Sequence, residues 1–172
     1  IFGNNIDNFL SDLFSNDSIA KANARSAISN IYYGKNDIGK LYNAIGKLKY
    51  GDKDYFDSKS KLIAELGYIR DTLATAEVVQ TLKKIYTASS DTSLFQNEVL
   101  QALAKHRSAQ SYALLKELLL LDPTVFGNVF EYTLFFRNIK DSISLARSLF
   151  PGILQLSSIA DFKEQVTDLL VT

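Results

Sequence analysis

His106 is the only imidazole in the chain, and Cys, Met and Trp are absent. A general base needs an orienting partner, and a metal centre needs companion ligands. One His excludes every site built on two imidazoles. Without Cys there is no disulfide, thiolate zinc site, iron–sulfur cluster or cysteine nucleophile. His106 follows an apolar periodic run, so a partly buried structural imidazole at a helix C-terminus is its expected role. Asp52, Asp54 and Asp57 crowd the stretch from Gly51 to Asp57, but their spacing does not follow an EF-hand loop, and Asp57 is expected to cap a helix. No Gly-x-Ser-x-Gly elbow, His-Glu-x-x-His pair, phosphate loop or dinucleotide fingerprint is present. No catalytic residue, metal ligand or cofactor is assigned.

Charge supplies the next candidates. The segment from Lys35 to Lys61 carries seven lysines against four aspartates. Its two expected roles are a solvated face and a weak reader of nucleic-acid backbone. The whole chain of 172 residues balances 19 Lys+Arg against 19 Asp+Glu, and a general polyanion binder needs surplus cations to displace condensed counterions. Ile38-Gly39-Lys40-Leu41 and Ile45-Gly46-Lys47-Leu48 repeat at seven residues. That spacing places both glycines on one helix face, where close approach of another helix is expected. Arg70, Arg107 and Arg137 recur at the ends of periodic runs and are expected to bind carboxylates or helix-end carbonyls of neighbouring units. Phe126, Phe130, Tyr132, Phe135 and Phe136 form an aromatic cluster expected to plug the core, any ring left outside marking a partner contact.

These residues need elements to position them. Apolar residues recur at three- and four-residue spacing almost throughout. Stripes run through Leu62, Ile63, Leu66 and Ile69, with Lys59, Lys61, Glu65 and Tyr68 opposite. Others join Val78, Val79, Leu82, Ile85 and Tyr86; then Leu94, Phe95, Val99, Leu100 and Leu103; then Leu114, Leu115, Leu118, Leu119 and Leu121. Further runs span Ile6–Phe14, Ile19–Tyr33, Ile38–Leu48, Val129–Phe136, Ile143–Phe150 and Ile159–Leu170. Asp17, Asp37, Asp57, Asp91, Ser108, Asp141 and Ser158 precede runs as expected N-caps. Gly34, Gly51 and Asn138 stand near run ends as expected C-caps, and Pro123 is expected to stop the Leu-rich helix. The spacing predicts an all-α chain of about ten short helices. Hydrophobic residues at 47% and charged residues at 22% fit a globular domain. The run Leu118–Leu121 falls far short of the ~20 apolar residues a membrane span needs. A chain opening Ile1-Phe2-Gly3 without Met is expected to be a segment of a longer polypeptide.

A shift of 37 residues matches Leu62 to Val99, Ile63 to Leu100, Leu66 to Leu103 and Arg70 to Arg107. A shift of 36 matches Val78 to Leu114, Val79 to Leu115, Leu82 to Leu118 and Ile85 to Leu121. A third, degraded copy at a shift of 30 pairs Val99 with Val129, Leu100 with Phe130, Arg107 with Arg137 and Leu115 with Leu145. Leu66-Gly67-Tyr68-Ile69-Arg70-Asp71, followed by Ala74, Val78, Val79 and Leu82, resembles the short HEAT-type repeat of phycobilin-lyase-like proteins. Leu103 to Ser108 is a looser copy, with Ala104 for Gly and Ser108 for Asp, and Thr72 stands where the repeat has Pro.

The resemblance implies a single domain over 1–172, a right-handed α-α superhelix of HEAT-like hairpins. Residues 57–122 hold the two best units, 126–150 a degraded third, and 1–50 an N-terminal helical cap. It implies a non-catalytic protein-protein interaction or scaffolding segment that displays the second helices of successive hairpins. Gln80, Lys83, Lys84, Lys116 and Glu117 are the expected partner-binding residues. The alternatives are a nucleic-acid backbone reader through Lys35–Lys61 and a regulatory or spacer domain attached to an enzyme.

Overall fold

The computed structural model describes residues 5–26, 33–88, 92–122, 126, 129–140, 142–156 and 163–171. The periodic stripes are helices: α1 (Ile6–Leu13), α2 (Ser18–Ser26), α3 (Lys35–Lys47), α4 (Tyr55–Gly67), α5 (Thr75–Thr87) and α6 (Thr92–His106). There follow α7 (Ala109–Leu121), α8 (Val129–Lys140), α9 (Ile143–Ala146), α10 (Phe150–Leu156) and α11 (Lys163–Val171). No strand occurs among the described residues. The chain is all-α.

Several starts follow from capping chemistry. The Asp17 carboxylate accepts from the Ile19 N–H at 2.8 Å, and the Ser108 hydroxyl accepts from the Ser111 N–H at 3.0 Å. Asn5 does the same for α1, a cap the spacing did not disclose. Other expected caps are corrected. Asp57 lies inside α4, which begins earlier, at Tyr55. Asp37 lies in the first turn of α3 and its carboxylate accepts from the Gly34 N–H at 2.9 Å, so Gly34 opens that helix instead of closing one. Asn138 sits within α8. Gly51, with φ at 103°, does occupy the left-handed region that suits glycine. Asp91, Pro123, Asp141 and Ser158 lie outside the described residues.

The stripes pack in two rows. α4 lies against α6, and α6 against α8. On the other side α3 lies against α5, α5 against α7, and α7 against α10. Residues matched at the 37-residue shift share their fate: Leu62, Ile63, Leu66, Val99, Leu100 and Leu103 are all fully buried. The second shift holds for Val78, Leu82, Leu114 and Leu118 but fails at its end. Ile85 is buried, whereas Leu121 is 74% exposed. One apolar cluster runs through the described elements from Ile6 to Val166.

The motif that carries the resemblance has a physical function at each position. Gly67 ends α4 where a Cβ would come within 2.6 Å of the Ala102 carbonyl oxygen, so only glycine lets α4 and α6 meet there. Ile69 fills the core beneath the turn. The Asp71 carboxylate accepts from the Leu73 N–H at 2.9 Å and opens a 3-10 turn, Thr72–Ala74, that leads into α5. Ser108 holds the matching place before α7. The close approaches thus fall at Gly67 and at Gly152, whose Cβ would meet Leu119 Cβ at 2.8 Å. Gly39 and Gly46, expected to admit a helix, have nothing within 4 Å of a Cβ position.

The segment expected to form a third unit, 126–150, is interrupted for a local reason. Pro151 has no N–H to donate to a carbonyl four residues back and its ring crowds that carbonyl. The run expected as one helix over Ile143–Phe150 breaks accordingly into α9, a 3-10 turn at Arg147–Leu149, and α10. Arg137 falls inside α8 and not at a turn.

Candidate functional site

The outward side of α5 and α7 holds the five residues picked from spacing. Gln80, Lys84, Lys116 and Glu117 are exposed and Lys83 is half-buried. Lys83 Nζ lies 3.0 Å from Glu117 Oε1, joining the two helices across 34 residues of chain. An exposed ion pair of this kind contributes little stability, at most about 1 kcal/mol. Its value is positional: it joins α5 to α7 across one mixed-charge surface. Thr87 closes α5 by donating its hydroxyl to the Lys83 and Lys84 carbonyls.

The other candidates divide between structural duties. The Asp-rich stretch does not act as a unit. Asp54 pairs with Lys21 at 2.9 Å and with Arg25 at 3.1 Å, which ties α4 to α2. The hydrogen bond from Lys21 holds the Asp54 carboxyl below its ordinary pKa. Among the described residues no group of three His, Asp or Glu side chains is placed to hold a metal ion. The Lys35–Lys61 segment is broken up in the same manner. Lys40 meets Asp7 at 2.8 Å, Lys61 meets Glu65 at 2.6 Å, and Lys35 approaches Glu77 at 4.0 Å. Arg70 donates to the Gly67 carbonyl at 2.8 Å, the end of the helix just before it and not a neighbouring element. Arg107 has φ at 54°, the only non-glycine residue with positive φ among those described.

Glu65 is the largest departure from the expected pattern. Spacing put it on the polar side of α4, yet it is 1% exposed. Tyr33 donates to Glu65 Oε2 at 2.7 Å while Lys61 sits beside Oε1. The Lys61 contact is close but off the hydrogen-bond direction, so it acts as an ion pair and not as an aligned bond. Farther along the α4–α6–α8 row, Ser60 faces Glu98, and Gln101 donates to the Glu131 carbonyl and accepts from Asn138 at 2.7 Å. Burial, and then the nearby Glu131 carboxylate, push the Glu98 carboxyl above its ordinary pKa.

His106 closes α6 and is 6% exposed, against the core and not over a cleft. The Ile69 backbone approaches the ring without forming a well-aligned hydrogen bond. Burial, and then the Arg70 guanidinium, hold its pKa below the ordinary 6.5. The unfolded chain therefore binds a proton near that pH which the folded chain refuses. This contribution to stability is present above pH 6.5 and is lost as the pH falls through the folded value, at up to about 1.4 kcal/mol per pH unit. His106→Ile, which installs the residue of the matched Ile69 position, is expected to erase that dependence. Urea unfolding of both proteins from pH 7.5 down to 5.5 should show the variant gaining on wild type as the pH drops. Glu98 titrates in both chains and cancels in the difference. A constant difference would contradict the burial of a neutral imidazole.

Two aromatic clusters occur among the described residues. Phe126, Phe135 and Phe136 are buried, with Phe126 and Phe135 centroids 5.0 Å apart. The side chains of Phe130 and Tyr132 lie outside the described residues. The second cluster was not picked out by spacing: Tyr50, Tyr55, Phe56 and Phe95 stack edge and face on one another, and Lys59 Nζ stands over two of these rings, 5.3 Å from the Tyr55 centroid and 4.3 Å from that of Phe95. Its members come from a loop, α4 and α6, and the Asp-rich stretch between them masks the pattern.

No helix among the described residues is long and apolar enough to cross a membrane. No protein-family model, curated protein or solved structure matches the chain.

Proposed function

We propose that the chain is a right-handed stack of HEAT-like α-hairpins serving as a non-catalytic protein-binding or scaffolding segment. Its partner docks on the outward side of α5 and α7. One observation supports the reading: the Lys83–Glu117 pair spans α5 and α7, with Gln80, Lys84 and Lys116 exposed around it. Such a surface recognises by charge complementarity, which sets partner choice and encounter rate more than raw affinity. A stack of hairpins extends that surface over several units. The nucleic-acid alternative loses support because Lys35, Lys40 and Lys61 already face carboxylates. A passive spacer beside an enzyme would bind nothing through this face.

The test compares wild type with the double variant Lys84→Glu/Lys116→Glu and with a control, Lys53→Glu, in affinity capture quantified by mass spectrometry. All three positions are exposed, so circular dichroism should be unchanged. Proteins retained by wild type and control but lost from the double variant are the expected result. Equal retention by all three, or none above background, would contradict the reading.

A further inference from the structure

An open cavity of about 570 Å³ lies where the last turns of α3 and α5 meet the first half of α4. That volume falls in the range of small-ligand sites, roughly 300–1,000 Å³. Ile45, Ile85 and Ala88 form apolar wall, while Tyr42 and Asn43 bring a phenol and an amide. We propose that this cavity binds a small neutral amphiphile, an apolar chain that ends in a hydroxyl. The chain lies against Ile45, Ile85 and Ala88, and the hydroxyl donates toward the ends of the two helices.

The polar end of the ligand follows from what two helix C-termini lack. The Leu48 N–H closes the Ile45 carbonyl, and the Ala88 N–H is shared between those of Lys84 and Ile85. The carbonyls beyond them have no intrahelical donor. Each helix end carries about half a negative charge, and Lys47, in the last turn of α3, offsets the two together. With that charge balanced, neither an anion nor a cation is favoured, and a carboxylate has no proton to offer a carbonyl. The Lys59 ammonium is already engaged, donating to the Tyr55 hydroxyl at 3.0 Å and standing 4.3 Å from the Phe95 centroid. The Tyr42 and Asn43 side chains have no hydrogen bond among the described residues, so both are open to the same hydroxyl.

Gly46 supplies a second, independent observation. It lies on the cavity wall within α3, where alanine is the better helix former. Nothing lies within 4 Å of its Cβ position, so packing does not require glycine there. What the missing side chain leaves is open cavity. None of the α5 and α7 residues proposed to meet a protein partner lines it, so this site stands or falls apart from that reading.

The probe is 1-octanol, titrated into the nitrogen-15-labelled chain and followed by amide chemical shifts. Wild type is expected to show saturable shifts that centre on Tyr42 to Lys47 and Ile85 to Ala88. Gly46→Leu fills the cavity from the exposed side of α3 and should weaken binding at least tenfold without loss of thermal stability. Octanoate and octylammonium should bind wild type at least tenfold more weakly than octanol. 1-Methoxyheptane, an isomer of octanol that has no proton to donate, should bind several-fold more weakly. Absence of saturable shifts in wild type, or binding that Gly46→Leu leaves intact, overturns the site. Octanoate or octylammonium binding as tightly as octanol overturns the neutral ligand, and methoxyheptane binding as tightly overturns the donated hydrogen bond.

Discussion

Replacing Gly67 with alanine is expected to destabilise the chain by about 3 kcal/mol, the upper end of the usual cost of overpacking. The added methyl would lie 2.6 Å from the Ala102 carbonyl oxygen and 2.8 Å from its Cα, both backbone atoms that no rotamer change can move aside. Relief requires α4 and α6 to separate, which loosens close-packed contacts along the whole interface. Helix propensity acts the other way, since alanine is favoured over glycine by up to about 1 kcal/mol in a helix. The clash wins because it is backbone against backbone. At roughly 2–4 °C per kcal/mol for a chain of this size, the midpoint should fall by about 6–12 °C. Gly39→Ala serves as the control, because its methyl meets nothing within 4 Å. A Gly67→Ala protein as stable as wild type would mean that α4 and α6 do not touch at this point.

Lys61→Met is expected to cost about 3–5 kcal/mol, because it leaves the Glu65 carboxylate buried without its counter-charge. Methionine keeps the length and apolar stem of lysine, so the loss is electrostatic and not a cavity. Adding Glu65→Gln to the same chain should restore most of the stability. The amide removes the stranded charge and still offers an oxygen to the Tyr33 hydroxyl, 2.7 Å from Glu65 Oε2 in the native chain. Urea unfolding of the two singles and the double gives the coupling directly. Additive losses would show that Lys61 and Glu65 act independently despite their 2.6 Å separation.

Local chemistry is legible in the sequence. The stripe Leu62, Ile63, Leu66, Ile69 needs only helical periodicity to declare itself, and Asp17 and Ser108 need only a short oxygen-bearing side chain before an apolar run. What escaped depends on residues distant in the chain. Glu65 reads as solvent-facing until Tyr33, 32 residues earlier, is seen to meet it. Lys59 reads as one more surface cation until Phe95 arrives from α6. Gly39 and Gly46 share a face by spacing, but spacing does not say whether a helix lies over that face; Gly67, in no such pattern, is where two backbones meet. Leu121 continues the stripe of α7 by spacing yet is 74% exposed, an outcome periodicity alone does not give. For the surface of α5 and α7, periodicity identified which side chains point outward, while the tie between Lys83 and Glu117 required the register between two helices.

Successive hairpins lying side by side, so that α5 and α7 form one continuous surface, are tested most directly by cross-linking. The chain has no cysteine, so the pair Lys83→Cys and Glu117→Cys reports without background, and a short bismaleimide serves as the ruler. The expected result is rapid intramolecular cross-linking in buffer that disappears in urea and is absent from the pair Lys83→Cys and Lys105→Cys, which places the second thiol on α6. Cross-linking of the Lys83–Glu117 pair no faster than that of the α6 pair, or equally fast in urea, would show that the two second helices are not neighbours.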